Sequence, residues 1–149
     1  MADLRNRLIG AWEMVDWGGW VGDTPVQVPL GSVEECGGIL IYSENGLMTA
    51  TLSRLDRTPF TTDSMDGGTP AEKQKAYETL ICYAGEFEVD EVNSSVTHKV
   101  RYSSFPNWVG AELLRYCIFE GDVLKLDTPS MKINGKDTTS FISWRKVEA

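Results

Sequence analysis

Short hydrophobic runs separated by turn residues make up most of the chain, and many of them alternate apolar and polar positions. A period of two is typical of strands that bury one face. The predicted strands span about 8–17, 38–42, 47–52, 86–89, 96–103, 111–119, 123–127 and 138–146. Because the later strands are joined by short turns, we expect sequential neighbours to pair in an antiparallel, up-and-down meander.

Two local signals interrupt or join these strands. The dipeptide Asn45-Gly46 favours a tight turn and predicts a hairpin between 38–42 and 47–52. Residues 69–72 read Thr-Pro-Ala-Glu, a capping box with proline at the first helical position, so a helix should begin there. Apolar residues then follow at helical spacing, at Tyr77, Leu80, Ile81 and Ala84. We expect this helix to end at Gly85 and to pack on the sheet or cover its opening.

The segment 18–36 carries several glycines and two prolines and is predicted to be a long loop. Within it, residues 17–20 read Trp-Gly-Gly-Trp. Two indoles on a flexible backbone suit a flap over a pocket, and equally a loop anchored by aromatic packing.

The two ends of the strand region have similar residues. Gly10-Ala11-Trp12 opens the first run, and Trp144-Arg145 closes the last one. Glycine permits close backbone approach, an indole is a large apolar plug, and a guanidinium can stack over its face. This bracketing favours a mainly β fold, a closed antiparallel β-barrel with one inserted helix. A barrel of about eight strands leaves room for one small ligand.

The composition limits the classes of partner and the cellular compartment that we expect for this protein. With 149 residues, the chain fits a single domain, 1–149. Its net charge of -8 argues against nucleic-acid and anionic-membrane partners. Three cysteines cannot all pair within one chain, and we expect reduced thiols at Cys36, Cys82 and Cys117. The first residues lack the apolar core of a signal peptide, and no apolar run reaches membrane-spanning length, so a cytoplasmic location is expected.

The single histidine, His98, is the first candidate for chemistry. Alternation places it on one face with Val96, Val100 and Tyr102, which is the apolar face and the one that we expect to point inward. A hydrogen-bonded core histidine is one interpretation. The other is a proton donor or acceptor facing a cavity. One histidine is too few for a multi-histidine metal site, and the sequence carries no nucleotide-binding motif, so no metal and no other cofactor is expected.

Arg115 is the second candidate, because both faces of its predicted strand are largely apolar. If it points into the barrel, it can bind a carboxylate or enolate oxygen of a ligand. It can equally pair with an acidic residue of the chain, for which Glu13, Asp16 and Glu86 are possible partners.

Other polar and aromatic residues complete the candidate site. Tyr42 joins His98 and Arg115 as a third candidate catalytic group. Aromatic, methionine and amide side chains on the strands and loops are candidates for binding the substrate: Trp12, Met14, Trp17, Trp20, Met48, Tyr83, Tyr102, Phe105, Asn107, Trp108 and Tyr116.

Several of these segments together resemble a known family. The segments are Leu8-Ile9-Gly10-Ala11-Trp12, Gly38-Ile39-Leu40-Ile41-Tyr42 with Asn45-Gly46, Val96-Thr97-His98, Phe105-Pro106-Asn107-Trp108-Val109-Gly110, and Trp144-Arg145. The chain resembles the small lipocalin-like domain family of bacteria and fungi over essentially its whole length. The resemblance implies a lipocalin-like barrel around one pocket, and a role among the biosynthetic genes of fungal secondary metabolites. Ala11 departs from the threonine more common in the family.

Three functional hypotheses follow from these features. The first is a cofactor-independent isomerase or cyclase, or a dehydratase, that acts on an apolar polyketide- or terpenoid-type intermediate, with His98 moving a proton and Arg115 or a tyrosine steadying an oxyanion. The second is a non-catalytic binder or carrier of a small apolar metabolite. The third is a domain that stabilises a partner enzyme through dimerisation, and a homodimer is possible in that case.

Overall fold

A computed structural model describes residues 3–148. It contains two α-helices and nine strands over this range. The helices are α1 (Leu4–Leu8) and α2 (Pro70–Glu78). The strands are β1 (Gly10–Val21), β2 (Thr24–Val26), β3 (Cys36–Tyr42), β4 (Leu47–Arg54), β5 (Leu80–Asp90), β6 (Ser95–Ser103), β7 (Glu112–Glu120), β8 (Val123–Ile133) and β9 (Lys136–Lys146). Single 3₁₀ turns cover Val33–Glu35 and Pro106–Trp108.

Eight of the strands form a closed antiparallel barrel. Strands β3 to β9 pair in sequence order, and β1 pairs with both β3 and β9, which closes the ring. The short strand β2 folds back on β1 outside this ring. The predicted closed, up-and-down barrel with one inserted helix is therefore confirmed.

Helix α1 lies across one end of the barrel. Leu8 is fully buried, and its carbonyl oxygen accepts a hydrogen bond of 2.8 Å from Nε1 of Trp12. The backbone N–H of Leu4 donates to a carboxylate oxygen of Glu91, in the turn after β5, at 2.8 Å. The cation over the Trp12 ring is Lys146, with Nζ 4.9 Å from the centroid. The expected guanidinium is absent there because Arg145 points outward to Asp122, with Nε and a carboxylate oxygen 3.3 Å apart.

The Asn-Gly hairpin is confirmed, with Tyr42 opposite Met48 and a φ of +91° at Gly46. The predicted limits of β6, β7 and β9 differ from the observed ones by at most two residues. Strand β8 continues six residues beyond the predicted end at Asp127, to Ile133.

The long loop predicted from residue 18 is wrong in its first part. Strand β1 continues to Val21, and its second half pairs with β9. A Cβ on Gly18 would lie 2.7 Å from the ring of Phe141, and that ring stacks on Trp20 with centroids 5.6 Å apart. The glycine thus admits a neighbouring ring rather than giving flexibility, and the Trp-Gly-Gly-Trp segment is a strand, not a flap.

Helix α2 begins as predicted and ends earlier. Thr69 accepts from the backbone of Glu72, and the Glu72 side chain accepts from the backbone of Thr69, so the capping box is present. The helix stops at Glu78, and none of its residues is buried. Residues 80–85 belong to β5, because their apolar side chains also fit a strand that pairs with β4. No residue of α2 lines the barrel interior described below.

A β-bulge in β6 reverses the face of Tyr102. Gly85 pairs with Val100, Ala84 pairs with Tyr102, and Arg101 is the extra residue between them. A Cβ on Gly85 would overlap the carbonyl oxygen of Lys99, so only glycine fits this approach. Tyr102 is consequently 72% exposed, instead of sharing the inward face with His98.

Candidate ligand-binding site

The barrel interior contains a small, mostly apolar cavity of ≈ 80 Å³. It lies away from α1, between the inward faces of the strands and the 3₁₀ turn at Trp108. Its apolar walls include Trp17, Leu40, Leu52, Ile81, Trp108, Leu126 and Ile142. Its polar lining consists of Tyr83, His98, Arg115, Thr128 and Ser140, and the indole of Trp144. Of the residues that the structure describes, no aspartate or glutamate lines it. A larger groove of ≈ 520 Å³ between α2 and residues 57–60 is open to solvent.

A buried imidazole between two phenols forms the centre of the polar lining. The hydroxyl oxygen of Tyr42, on β3, lies 2.6 Å from Nε2 of His98. The hydroxyl oxygen of Tyr83, on β5, lies 2.7 Å from Nδ1 of the same ring. His98 is 1% exposed, and both tyrosines are buried. The prediction that His98 points inward is confirmed by this arrangement.

All three groups are neutral near neutral pH. Burial, reinforced by the nearby charge of Arg115, holds the pKa of His98 well below its usual 6.5. Burial likewise raises the pKa of Tyr42 well above its usual value. Burial also raises the pKa of Tyr83, although the adjacent Arg115 guanidinium opposes the rise. The site therefore holds neutral hydrogen-bonding groups rather than a charged base.

The hydrogen-bond partners of Tyr42, His98 and Tyr83 determine which atom carries each proton. Among residues 3–148, the Tyr42 hydroxyl has one hydrogen-bonding partner, Nε2 of His98. Because a buried hydroxyl proton without an acceptor is costly, we assign Tyr42 as the donor and Nε2 as the acceptor. The neutral ring then carries its proton on Nδ1 and donates to Tyr83. The hydroxyl proton of Tyr83 is left free to donate into the cavity that Tyr83 lines.

Arg115, on β7, points into the barrel and is 8% exposed. Its Nη1 donates to the carbonyl oxygen of Leu114 at 3.0 Å. Within residues 3–148 it forms no ion pair. The three acidic partners considered from the sequence lie on outward-facing positions of their strands, and Glu86 pairs with Arg101 instead. The interpretation of Arg115 as one half of an internal ion pair is therefore wrong.

Trp144, on β9, was not among the site residues expected from the sequence. Its indole Nε1 is buried and has no hydrogen-bond partner among the described residues. Trp12 differs in this respect, because its Nε1 donates to Leu8. Alternation along β9 places Ser140, Ile142 and Trp144 on one face, and this signal would have identified the position.

The other expected binding residues divide into three groups. Trp17, Tyr83 and Trp108 line the cavity with His98 and Arg115, and Phe105 packs edge-on against Trp108 at 5.6 Å between centroids. Residues in the core but outside the cavity are Tyr42, which lies behind His98, and Trp12 and Met48, while Met14 is partly buried and packs against this core. Residues outside the barrel are Trp20, Tyr102, Asn107 and Tyr116.

The outward placement has a local cause in each case. Tyr116 alternates with the buried Arg115 and Cys117, so it faces solvent. Trp20 alternates with the inward Gly19 and stacks on Phe141. Asn107 lies in the exposed part of the 3₁₀ turn, and the bulge described above turns Tyr102 outward.

Across residues 3–148, no three histidine, cysteine or acidic side chains are grouped so that they could hold a metal ion. The helices of this part of the chain are too short or too polar to cross a membrane.

Comparisons with known proteins agree with the geometry. Residues 9–147 match a family described as the lipocalin-like domain. The chain is also 36% identical over 87 residues to the 4'-hydroxy-3'-methoxypropiophenone carrier protein ppsC of Aspergillus oryzae (strain ATCC 42149 / RIB 40). That match covers 54% of this chain and 78% of the relative.

Proposed function

The chain belongs to the lipocalin-like domain family, and we propose that it binds and carries one small, largely apolar ketone-bearing metabolite of a secondary-metabolite pathway inside its barrel. The observation that carries the proposal is the polar lining of the cavity. Arg115, Trp144 and Tyr83 line it, each side chain carries a hydrogen-bond donor, and no carboxylate among residues 3–148 accompanies them. Such a lining suits a ligand with acceptor oxygens on an apolar body.

The similarity to a protein named as a carrier of an aromatic ketone supports the same conclusion. An aryl ketone has a flat apolar ring for the aromatic walls, and a carbonyl oxygen that can accept from the free donors. We therefore take the hydroxymethoxypropiophenone of the relative's name as the first ligand to test.

The cavity is too small to hold such a ligand unless its lining side chains move. Ligand pockets commonly measure roughly 300–1,000 Å³, and this cavity measures ≈ 80 Å³. Lining side chains must therefore move outward when such a ligand enters. Trp108 is suited to this movement, because it is only partly buried and lies on a short turn between β6 and β7.

Catalysis is the second candidate function, and the hydrogen bond between His98 and Tyr83 favours it. A proton placed at the cavity wall and an imidazole behind it can move a proton to or from an enolisable ketone, as an isomerase or cyclase requires. The low pKa of His98 and the raised pKa of Tyr83 make both groups weak in that role, and for this reason we place carriage first.

One experiment distinguishes the two functions. The protein is incubated with 4'-hydroxy-3'-methoxypropiophenone in D₂O, calorimetry measures binding, and proton NMR follows exchange of the hydrogens next to the carbonyl. Carriage predicts binding with exchange no faster than in buffer and full recovery of the ligand. Exchange that is faster with protein, and lost in His98→Gln, would favour proton transfer. Absence of binding would contradict both.

A further inference from the structure

Arg115 is a buried cation without an anionic partner among residues 3–148. The guanidinium remains protonated in proteins, so it cannot become neutral as a buried lysine can. Charges taken out of water are costly unless they are paired and hydrogen-bonded. Here the groups that neighbour it are dipoles, namely the Leu114 carbonyl and the Tyr83 hydroxyl.

An unsatisfied hydrogen-bond donor lines the same cavity. The indole Nε1 of Trp144 is buried and has no partner within the described part of the chain, in a residue that is 2% exposed. Buried polar groups in native proteins are normally hydrogen-bonded, so an unpaired donor and an unpaired cation that line the same cavity indicate a missing acceptor. The small size of the cavity means that one ligand would meet both groups.

We propose that the barrel takes its ligand as an anion: an aromatic, otherwise apolar molecule whose carboxylate, or ionised phenol or enol oxygen, pairs with Arg115 while an oxygen of the same molecule accepts from Trp144. This inference rests on the proposed function, because it requires that the barrel holds a metabolite. It adds the charge state of that metabolite and the residue that recognises it.

The groups that face Arg115 do not titrate in the range of interest. They are Tyr83 from β5, His98 from β6, Tyr42 from β3 and Cys117 from its own strand. Burial keeps the pKa of His98 below 6.5, keeps both tyrosines protonated, and raises the pKa of Cys117 to about 12. Between about pH 6.5 and pH 9, a change in affinity therefore reports ionisation of the ligand.

Calorimetry with matched probes tests the inference. Binding is measured at about pH 6.5 and about pH 9. The first probe, 4'-hydroxyacetophenone, has a phenol that ionises between these two pH values. Its methyl ether, 4'-methoxyacetophenone, does not ionise, and 4-methoxybenzoate is ionised at both. We expect the phenol to bind about tenfold more tightly at the higher pH, a change of about 1.4 kcal/mol. The ether should bind weakly at both. Tight binding of the benzoate at both values would identify the carboxylate as the preferred anion.

Substitutions of Arg115 test whether this residue causes the pH dependence of the affinity. Arg115→Met should remove the pH dependence and lower the affinity for the phenol about tenfold at the higher pH. Arg115→Gln removes the charge but keeps hydrogen-bond donors on the side chain, so it should also remove the pH dependence if Arg115→Met fails to fold. Arg101→Met is the matched control, because Arg101 pairs with Glu86 on the outer face of the barrel.

Two results would overturn the inference, and they are distinguishable. If the ether binds as tightly as the phenol at the higher pH, or if Arg115→Met keeps the pH dependence, the ligand is not taken as an anion, while binding itself stands. If no probe binds at either pH, the proposed function fails for this ligand class, and the inference fails with it.

Discussion

The hydroxyl oxygen of Tyr83 lies 2.7 Å from Nδ1 of His98, inside the barrel and at the wall of its cavity. Tyr42 occupies the other ring nitrogen from behind. The imidazole is thus held between two phenols, and it fixes the Tyr83 hydroxyl as a donor toward the cavity. The same contact can serve binding or proton transfer, and the variants below separate its roles.

Removing the hydroxyl group of each tyrosine in turn tests which atoms of Tyr42, His98 and Tyr83 carry the protons. Tyr83→Phe leaves the Nδ1 proton without its acceptor, and Tyr42→Phe leaves Nε2 without its donor. Each should lower the free energy of unfolding by about 1–3 kcal/mol, measured by urea titration. Only Tyr83→Phe should also weaken binding of 4'-hydroxyacetophenone, because Tyr42 does not line the cavity. Equal losses of affinity in the two variants would contradict the arrangement.

The buried neutral histidine should make the protein sensitive to mild acid. The unfolded chain binds a proton at the imidazole with a pKa near 6.5, whereas the folded one does not until a much lower pH. Unfolding below pH 6.5 is therefore coupled to proton uptake, and stability falls as pH falls. We expect the free energy of unfolding to fall by about 1.4 kcal/mol for each pH unit from pH 6.5 down to the pKa of His98 in the folded protein. His98→Gln should remove this slope between about pH 5 and 6.5, and an unchanged slope would contradict the account.

The bulge opposite Gly85 should tolerate no side chain. Gly85→Ala places a Cβ on the carbonyl oxygen of Lys99, so the pairing of β5 with β6 must shift. We expect a loss of about 3 kcal/mol or more in the free energy of unfolding. Gly37→Ala is the control, because its Cβ would meet only the movable Leu55 side chain at 3.3 Å. Similar losses in the two variants, measured by thermal or urea unfolding, would count against the bulge.

Lys146 joins the last strand to the start of the chain. Its Nζ lies over Trp12 and donates to the carbonyl oxygens of Arg7 and Ile9, at 3.2 and 2.7 Å. Lys146→Met should lower the free energy of unfolding by about 1–2 kcal/mol. Lys136→Met, at an exposed position of the same strand, should change it by less than about 0.5 kcal/mol. If Lys146→Met leaves the free energy of unfolding unchanged, the contact of Lys146 with the start of the chain does not stabilise the barrel.

The fold was predictable from the sequence where local residues determine the structure. Asn45-Gly46 determines its hairpin, and the capping box determines where α2 begins. The end of α2 was not predictable, because Leu80 and Ile81 fit the apolar positions of a helix and of a strand equally well. Pairing with β4 decides between them, and that pairing lies outside the local sequence.

The site was predictable in its centre but not at its edges. Alternation correctly places His98 inside the barrel. The same rule fails for Tyr102, because a bulge caused by Gly85 on the neighbouring strand shifts the period by one residue. The unpaired state of Arg115 was also beyond sequence reasoning, since it depends on every acidic side chain facing away from the cavity.

The most direct test of ligand binding inside the barrel is the NMR signal of the Trp144 indole N–H. The five tryptophans give one indole signal each in a ¹⁵N-labelled sample, and Trp144→Phe identifies the one that belongs to Trp144. On addition of 4'-hydroxyacetophenone at about pH 9, we predict that the Trp144 signal moves as its N–H gains an acceptor. The Trp12 signal should stay in place, because its N–H already donates to Leu8. A ligand that binds by calorimetry but leaves the Trp144 signal unchanged would contradict binding in the cavity.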